Sequence, residues 1–89
     1  MKEPYLEITF RHGRPLAAYL YLPREGNEKS ARTQQAAPGL LIDFAADGQP
    51  IGLEITAPSR VSAATINRVL ADLGLATLSD ADLAPLRAA

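Results

Sequence analysis

The sequence predicts a single α+β domain: a small antiparallel β-sheet of four to five strands built from hairpins, packed on one main C-terminal helix and a short final helix. Three observations predict it. Short alternating apolar stretches, separated by Gly, Pro and Asp, fill roughly the first two thirds of the chain, which is the signature of consecutive hairpins. An apolar repeat at three- and four-residue spacing begins only after residue 61 and is bracketed by capping residues, so helix follows sheet. Finally, 89 residues can enclose one core but not two. Residues 1–89 therefore form one domain, with a β-sheet region at 5–55 and a helical region at 62–89.

The first strand is expected over residues 5–10, where Leu6, Ile8 and Phe10 alternate with Tyr5, Glu7 and Thr9. Residues 11–15 contain Gly13 and Pro15 and form a turn. A second strand over residues 16–22 is apolar on both faces, with Leu16, Ala18, Leu20 and Leu22 on one and Ala17, Tyr19 and Tyr21 on the other. A strand of that kind is covered twice; the helix supplies one cover and a second subunit is expected to supply the other. Residues 23–29 hold Pro, Gly, Asn and charged side chains and read as an exposed loop. A weakly apolar third strand over residues 30–37 suits a sheet edge, and Pro38-Gly39 ends it.

Residues 40–55 organise the rest as two apolar strands about Asp47-Gly48, a pair that suits a two-residue type I′ turn. That turn sets Phe44 against Ile51, Ile42 against Leu53 and Leu40 against Ile55, with every apolar pair on one face. The alternative that sets Phe44 against Gly52 and Ile42 against Glu54 mixes the faces and is rejected. Leu41, Asp43, Gly52 and Glu54 then form the other face. Beyond Pro58, Ser62 is the expected N-cap of a helix reaching Leu73, with Ile66, Val69, Leu70 and Leu73 on one side and Gly74 as its left-handed terminator. Ser79, Asp80 and Asp82, with Leu78 and Leu83 as a hydrophobic staple, start a second helix that Pro85 keeps short.

Composition narrows the function classes. The chain is 47% hydrophobic and 21% charged, with a formal net charge of −1, so no overall field draws it to nucleic acid or to an anionic membrane. It has no cysteine, which removes disulfides, thiolate metal sites and cysteine nucleophiles. Met1 to Pro4 run directly into a strand, and no long apolar stretch occurs; a cytoplasmic protein is expected.

Few residues suggest chemistry. Asp43 and Glu54 are diagonal neighbours on the non-core face, about 7–8 Å apart at the backbone. Paired carboxylates at such a spacing serve as general acid and base or hold a divalent cation, but two ligands fall short of the roughly six oxygens a hard cation takes. Solvated residues that keep an outer face polar account for them better. His12, the single histidine, stands with Arg11 and Arg14 in a basic turn, where it could serve as a base or help bind phosphate, but a lone histidine in an exposed turn is far more often a solvated residue. The basic residues flanking Tyr19 and Tyr21 resemble a single-stranded nucleic-acid platform, yet Glu25 and Glu28 interrupt them, and tyrosines packed in a core or dimer seam are preferred. No catalytic, cofactor or metal residues are assigned.

The strand, turn and AAYLYL segment of residues 5–21, followed by ARTQQAAPGLLIDFAADGQPIGLEI from Ala31 to Ile55, resemble a small bacterial domain family of unknown function, DUF2283. The sharpest elements are the Asp43 to Gly48 region and Ile51-Gly52-Leu53-Glu54-Ile55. The resemblance implies a compact antiparallel sheet with a helix, no established catalytic activity, and an association with small toxin proteins. Gln34 and Gln35 replace commonly acidic positions of that family, and Ala45 and Ala46 dilute its acidic turn, which weakens any cation site.

The expectation is therefore a non-enzymatic protein that acts through protein association as a homodimer, with Leu16, Ala18, Leu20, Leu22, Leu41, Asp43 and Glu54 as its interaction face. Neither nucleic acid nor membrane is expected as a partner, and no cofactor. The alternative is an antitoxin-like module that neutralises a small toxin partner.

Overall fold

A computed structural model describes residues 3–24, 26 and 29–87. Met1 and Lys2 lie outside the described residues, as do Ala88 and Ala89, and so do Glu25, Asn27 and Glu28 of the expected loop at 23–29. Five strands, β1 (Tyr5–Arg11), β2 (Arg14–Tyr21), β3 (Arg32–Ala37), β4 (Leu40–Phe44) and β5 (Pro50–Ile55), precede helix α1 (Ala63–Asp72) and helix α2 (Asp80–Leu83). Short 3-10 turns occupy Pro58–Arg60 and Ala84–Arg87. The strands form one antiparallel sheet in the order β1-β2-β5-β4-β3. The polar β3 takes an outer edge, where weakly apolar sequence is tolerated. Among the described residues no helix is long and apolar enough to cross a membrane.

Cross-strand pairing assembles the core in two rows. One joins Leu6, Leu20, Leu53 and Ile42; the next joins Ile8, Ala18, Ile55 and Leu40. The helices bury this face, with Ile66, Val69 and Leu70 of α1, Leu83 of α2 and Leu86 in the same apolar cluster. Leu20, Leu40, Leu53, Ile55 and Ile66 are each at most 1% exposed. Each such side chain contributes about 1.5–3 kcal/mol by leaving water. At the β3 edge the Arg32 guanidinium lies 4.1 Å from the Phe44 ring centre and covers that end of the core.

Helix termini follow their local chemistry. The Ser62 hydroxyl accepts from the Thr65 N–H at 3.1 Å, and Leu73 closes α1 with Gly74 at φ +76°. There the Gly74 N–H reaches the Ala71 carbonyl at 2.9 Å and the Leu75 N–H reaches that of Leu70 at 2.8 Å, the paired bonds of a Schellman terminator. Ser79 and Asp82 form a reciprocal capping box. α2 is four residues long, and Pro85 lies in the 3-10 turn beyond it. Asn67 ties the two helical parts together by accepting from the Leu78 N–H at 2.8 Å and donating to its carbonyl at 2.9 Å.

The organising hairpin departs from its expected register near the turn. Leu40 meets Ile55 and Ile42 meets Leu53 as expected, but Phe44 pairs with Pro50 instead of Ile51. The cause is a three-residue loop. The Ala45 N–H bonds the Gln49 carbonyl at 2.8 Å, and the Gly48 N–H bonds the Ala45 carbonyl at 2.9 Å. Gly48 is left-handed at φ +89° while Asp47 is not, because the Asp47 carboxylate accepts from the Gln49 N–H at 3.0 Å and closes a side-chain turn instead. A bulge at Ile51 then restores the register. The two-residue turn with two positive φ angles belongs to His12 and Gly13, at +53° and +77°, between the paired Arg11 and Arg14.

A second bulge, at Leu16, shifts the start of β2 and leaves Leu16 51% exposed. Ala18, Leu20 and Leu22 are the opposite case, at 8%, 1% and 1% exposure. The chain's own helices cover them, so these three leave the expected interaction face.

Candidate functional site

All helical segments cover one side of the sheet, and among the described residues no helix or strand covers the other. Two rows cross its five strands. Tyr5, Tyr21, Gly52, Asp43 and Thr33 make the first; Glu7, Tyr19, Glu54, Leu41 and Gln35 make the second. All three tyrosines of the chain stand here. The Tyr5 and Tyr21 rings are 5.6 Å apart and tilted, and Tyr19 meets Tyr21 edge-on at 4.7 Å, separations that give aromatic pairs about 0.5–1.5 kcal/mol beyond their buried area.

Tyr19 is the keystone of this face. Its ring lies over Gly52, and a Cβ built there would overlap the ring. Glycine is needed at that position for the close approach and for no backbone reason, since its φ is ordinary. By crossing Gly52 the Tyr19 hydroxyl reaches β4 and donates to Oδ2 of Asp43 at 2.8 Å. Thr33 donates to Oδ1 from the other side at 2.6 Å. Asp43 is the one buried charged residue of the described chain, 6% exposed, and both its oxygens are bonded, as a buried carboxylate requires. Three strands, β2, β4 and β3, are thereby linked through one side-chain network that passes over β5 at Gly52.

Glu54 completes the group. It pairs with Leu41, next to the Asp43–Gly52 pair, so the two carboxylates are diagonal neighbours as expected. Burial holds the Glu54 carboxyl above its ordinary value, and the neighbouring Asp43 carboxylate pushes the same way. Tyr19 is raised more strongly, first by burial and then by its bond to Asp43. The Tyr21 phenol is raised by its bond to Glu7, at 3.2 Å.

Of the seven residues of the expected interaction face, Leu41, Asp43 and Glu54 stand together here, Leu16 is exposed at its bulge, and Ala18, Leu20 and Leu22 are in the core. Tyr19, Gly52 and Thr33 belong to the network although nothing in the sequence marks them as a set. Tyr19 and Gly52 become diagonal neighbours only once β2 is laid beside β5. Among the described residues no three His, Cys, Asp or Glu side chains come together as metal ligands. Arg11, His12 and Arg14 are exposed at the far end of β1 and β2.

Residues 17–58 match the family described as Protein of unknown function (DUF2283). That span, a little under half of the chain, is DUF2283-like as its strand and turn motifs imply; it runs from β2 to the turn at Pro58 and so holds Tyr19, Tyr21, Thr33, Asp43, Gly52 and Glu54. No curated protein and no solved structure matches the chain.

Proposed function

We propose that this DUF2283-like chain is a non-enzymatic protein-association module that works as a homodimer, joined through the open sheet face. One observation carries the reading. Five strands present three packed tyrosines and a fully bonded buried carboxylate on a face that no other part of the described chain covers. Tyrosine suits interfaces because it offers a large rigid surface with a polar tip. The Asp43 carboxylate favours association over catalysis, because each of its oxygens already accepts a hydrogen bond.

Sedimentation equilibrium tests it. Twice the chain mass at micromolar concentration is expected, with Tyr21→Lys shifting the protein to a monomer that melts as a folded domain. A wild-type monomer under those conditions refutes the homodimer. An antitoxin-like module would use the same face against a different chain, and would be monomeric alone and saturated at one copy per partner.

A further inference from the structure

At the opposite end of the molecule from Tyr5, we infer a binding site for a polyphosphate group, formed by Arg14, Arg60 and Arg87. They come from three segments distant in sequence, the start of β2, the 3-10 turn Pro58–Arg60 and the terminal 3-10 turn Ala84–Arg87. These segments pack against one another, and the three arginines line one open groove of about 620 Å³. Its size is that of small-molecule sites. Pro58, Val61 and Leu86 make an apolar floor, each of them buried.

Charge and pairing point to the ligand. No carboxylate among the described residues lines the groove. Among the described residues, none of these three guanidinium groups has a carboxylate partner. The chain carries a net charge of −1 with ten acidic residues, so three arginines in a groove that no described acidic residue lines are a local segregation of charge, not a basic surface. Arg14 also faces Arg11 directly across the hairpin. Like charges in that position are destabilising, and a bound anion would relieve the repulsion.

Arginine is suited to this work because its planar fork bonds phosphate oxygens in pairs and stays charged. The groove also reaches Ser62, the N-cap of the ten-residue α1. The Ser62 side chain serves Thr65, and the first-turn N–H groups ahead of it have no partner within the helix, which adds positive potential at the same place. Three guanidinium groups match the three or more negative charges of a linked phosphate chain better than the one or two of a single phosphate.

The test is a titration of ¹⁵N-labelled protein with inorganic triphosphate at low ionic strength, followed by amide shifts, with ATP and adenosine as parallel arms. Saturable shifts confined to the amides around Arg14, Arg60, Ala63 and Arg87 are expected. Arg60→Gln and Arg87→Gln should each raise Kd about tenfold, the loss of one charge-assisted bond, while Arg68→Gln on the exposed side of α1 leaves it unchanged. Equal affinity for triphosphate and ATP identifies a free phosphate chain as sufficient, and tighter ATP identifies one carried on a nucleoside. Failure of triphosphate to saturate, adenosine binding as well as ATP, or Arg68→Gln weakening the complex as much as Arg60→Gln would each overturn the assignment. Unchanged melting of the variants shows that a lost affinity is not lost folding.

Discussion

Replacing Gly52 with alanine tests the ring-over-glycine arrangement most directly. Alanine in a strand is ordinarily preferred to glycine by about 0.5–1 kcal/mol because it loses less backbone entropy. Here the added Cβ would overlap the Tyr19 ring, so the ring must lift. Lifting it breaks the bond to Asp43, worth about 1.5–3 kcal/mol with a charged acceptor. Water cannot readily replace that bond, because Asp43 is 6% exposed. Part of the edge contact with Tyr21 goes as well, at about 0.5–1.5 kcal/mol. Subtracting the strand gain leaves a net destabilisation of roughly 2 kcal/mol, or about 8–16 °C in melting temperature for a domain of this size. Urea unfolding followed by far-UV circular dichroism measures it. In a Tyr19→Ala background the obstacle is absent, and Gly52→Ala should become neutral or stabilising, giving a coupling of the kind that residues in contact show. A wild-type-like Gly52→Ala protein, or an equal loss in both backgrounds, would refute the packing of Tyr19 on Gly52.

Three further outcomes rest on the same face and on the tie between the helices. Glu54 is raised in the folded protein, so the folded state holds its proton more tightly than the unfolded chain, and stability falls as pH rises from the ordinary glutamate value through the folded one; Glu54→Gln should flatten that slope in urea midpoints measured between pH 4 and 8 (about the carboxylate titration range). Tyr19 is raised as well, so above about pH 10 the unfolded chain ionises first and stability declines, an alkaline slope that Tyr19→Phe should reduce. Asn67→Ala removes both bonds to Leu78 at a cost of about 2 kcal/mol, and hydrogen exchange should show the loss concentrated in residues 78–86.

Legibility in the sequence follows the range over which each feature is determined. The Ser62 and Ser79 caps, the Gly74 terminator and the apolar stripe of α1 depend on neighbours three or four positions apart, and all were readable. The paired strands were readable too, because alternation forces Ile42 and Leu53 to one face. The turns were harder. Asp-Gly suits a type I′ turn, but the Asp47 side chain captured the Gln49 N–H and selected a longer loop, whereas His12-Gly13, a less obvious pair, adopted the left-handed geometry. Bulges at Leu16 and Ile51 lie beyond any periodicity, since one inserted residue shifts the alternation that reveals a strand. The two faces of β2 were indistinguishable by apolar content. Only the position of the helices makes Leu20 core and Tyr19 surface. The arginine groove was half visible: Arg14 stood in a basic turn, but Arg60 and Arg87 join it through tertiary packing alone.

The open face is also more ordered than solubility requires. A sheet face that only meets water is served by exposed Thr, Lys and Glu, which need no partners. This one buries a carboxylate, satisfies both its oxygens from two other strands, and fixes Tyr19 across a glycine to do so. Fixing side chains before contact lowers the entropy lost when a partner arrives, at about 0.5–1.5 kcal/mol for each long side chain already held. The consequence is separable from stability. Tyr19→Phe keeps the ring and its area but frees it from Asp43, and leaves Asp43 with the Thr33 bond alone. If the face is built for association, the variant should weaken the dimer about three- to tenfold, the factor for one such side chain, at temperatures where its folded fraction is unchanged. Sedimentation at several concentrations well below the melting temperature reads this directly. A dimer of undiminished affinity would mean that the network serves the fold alone.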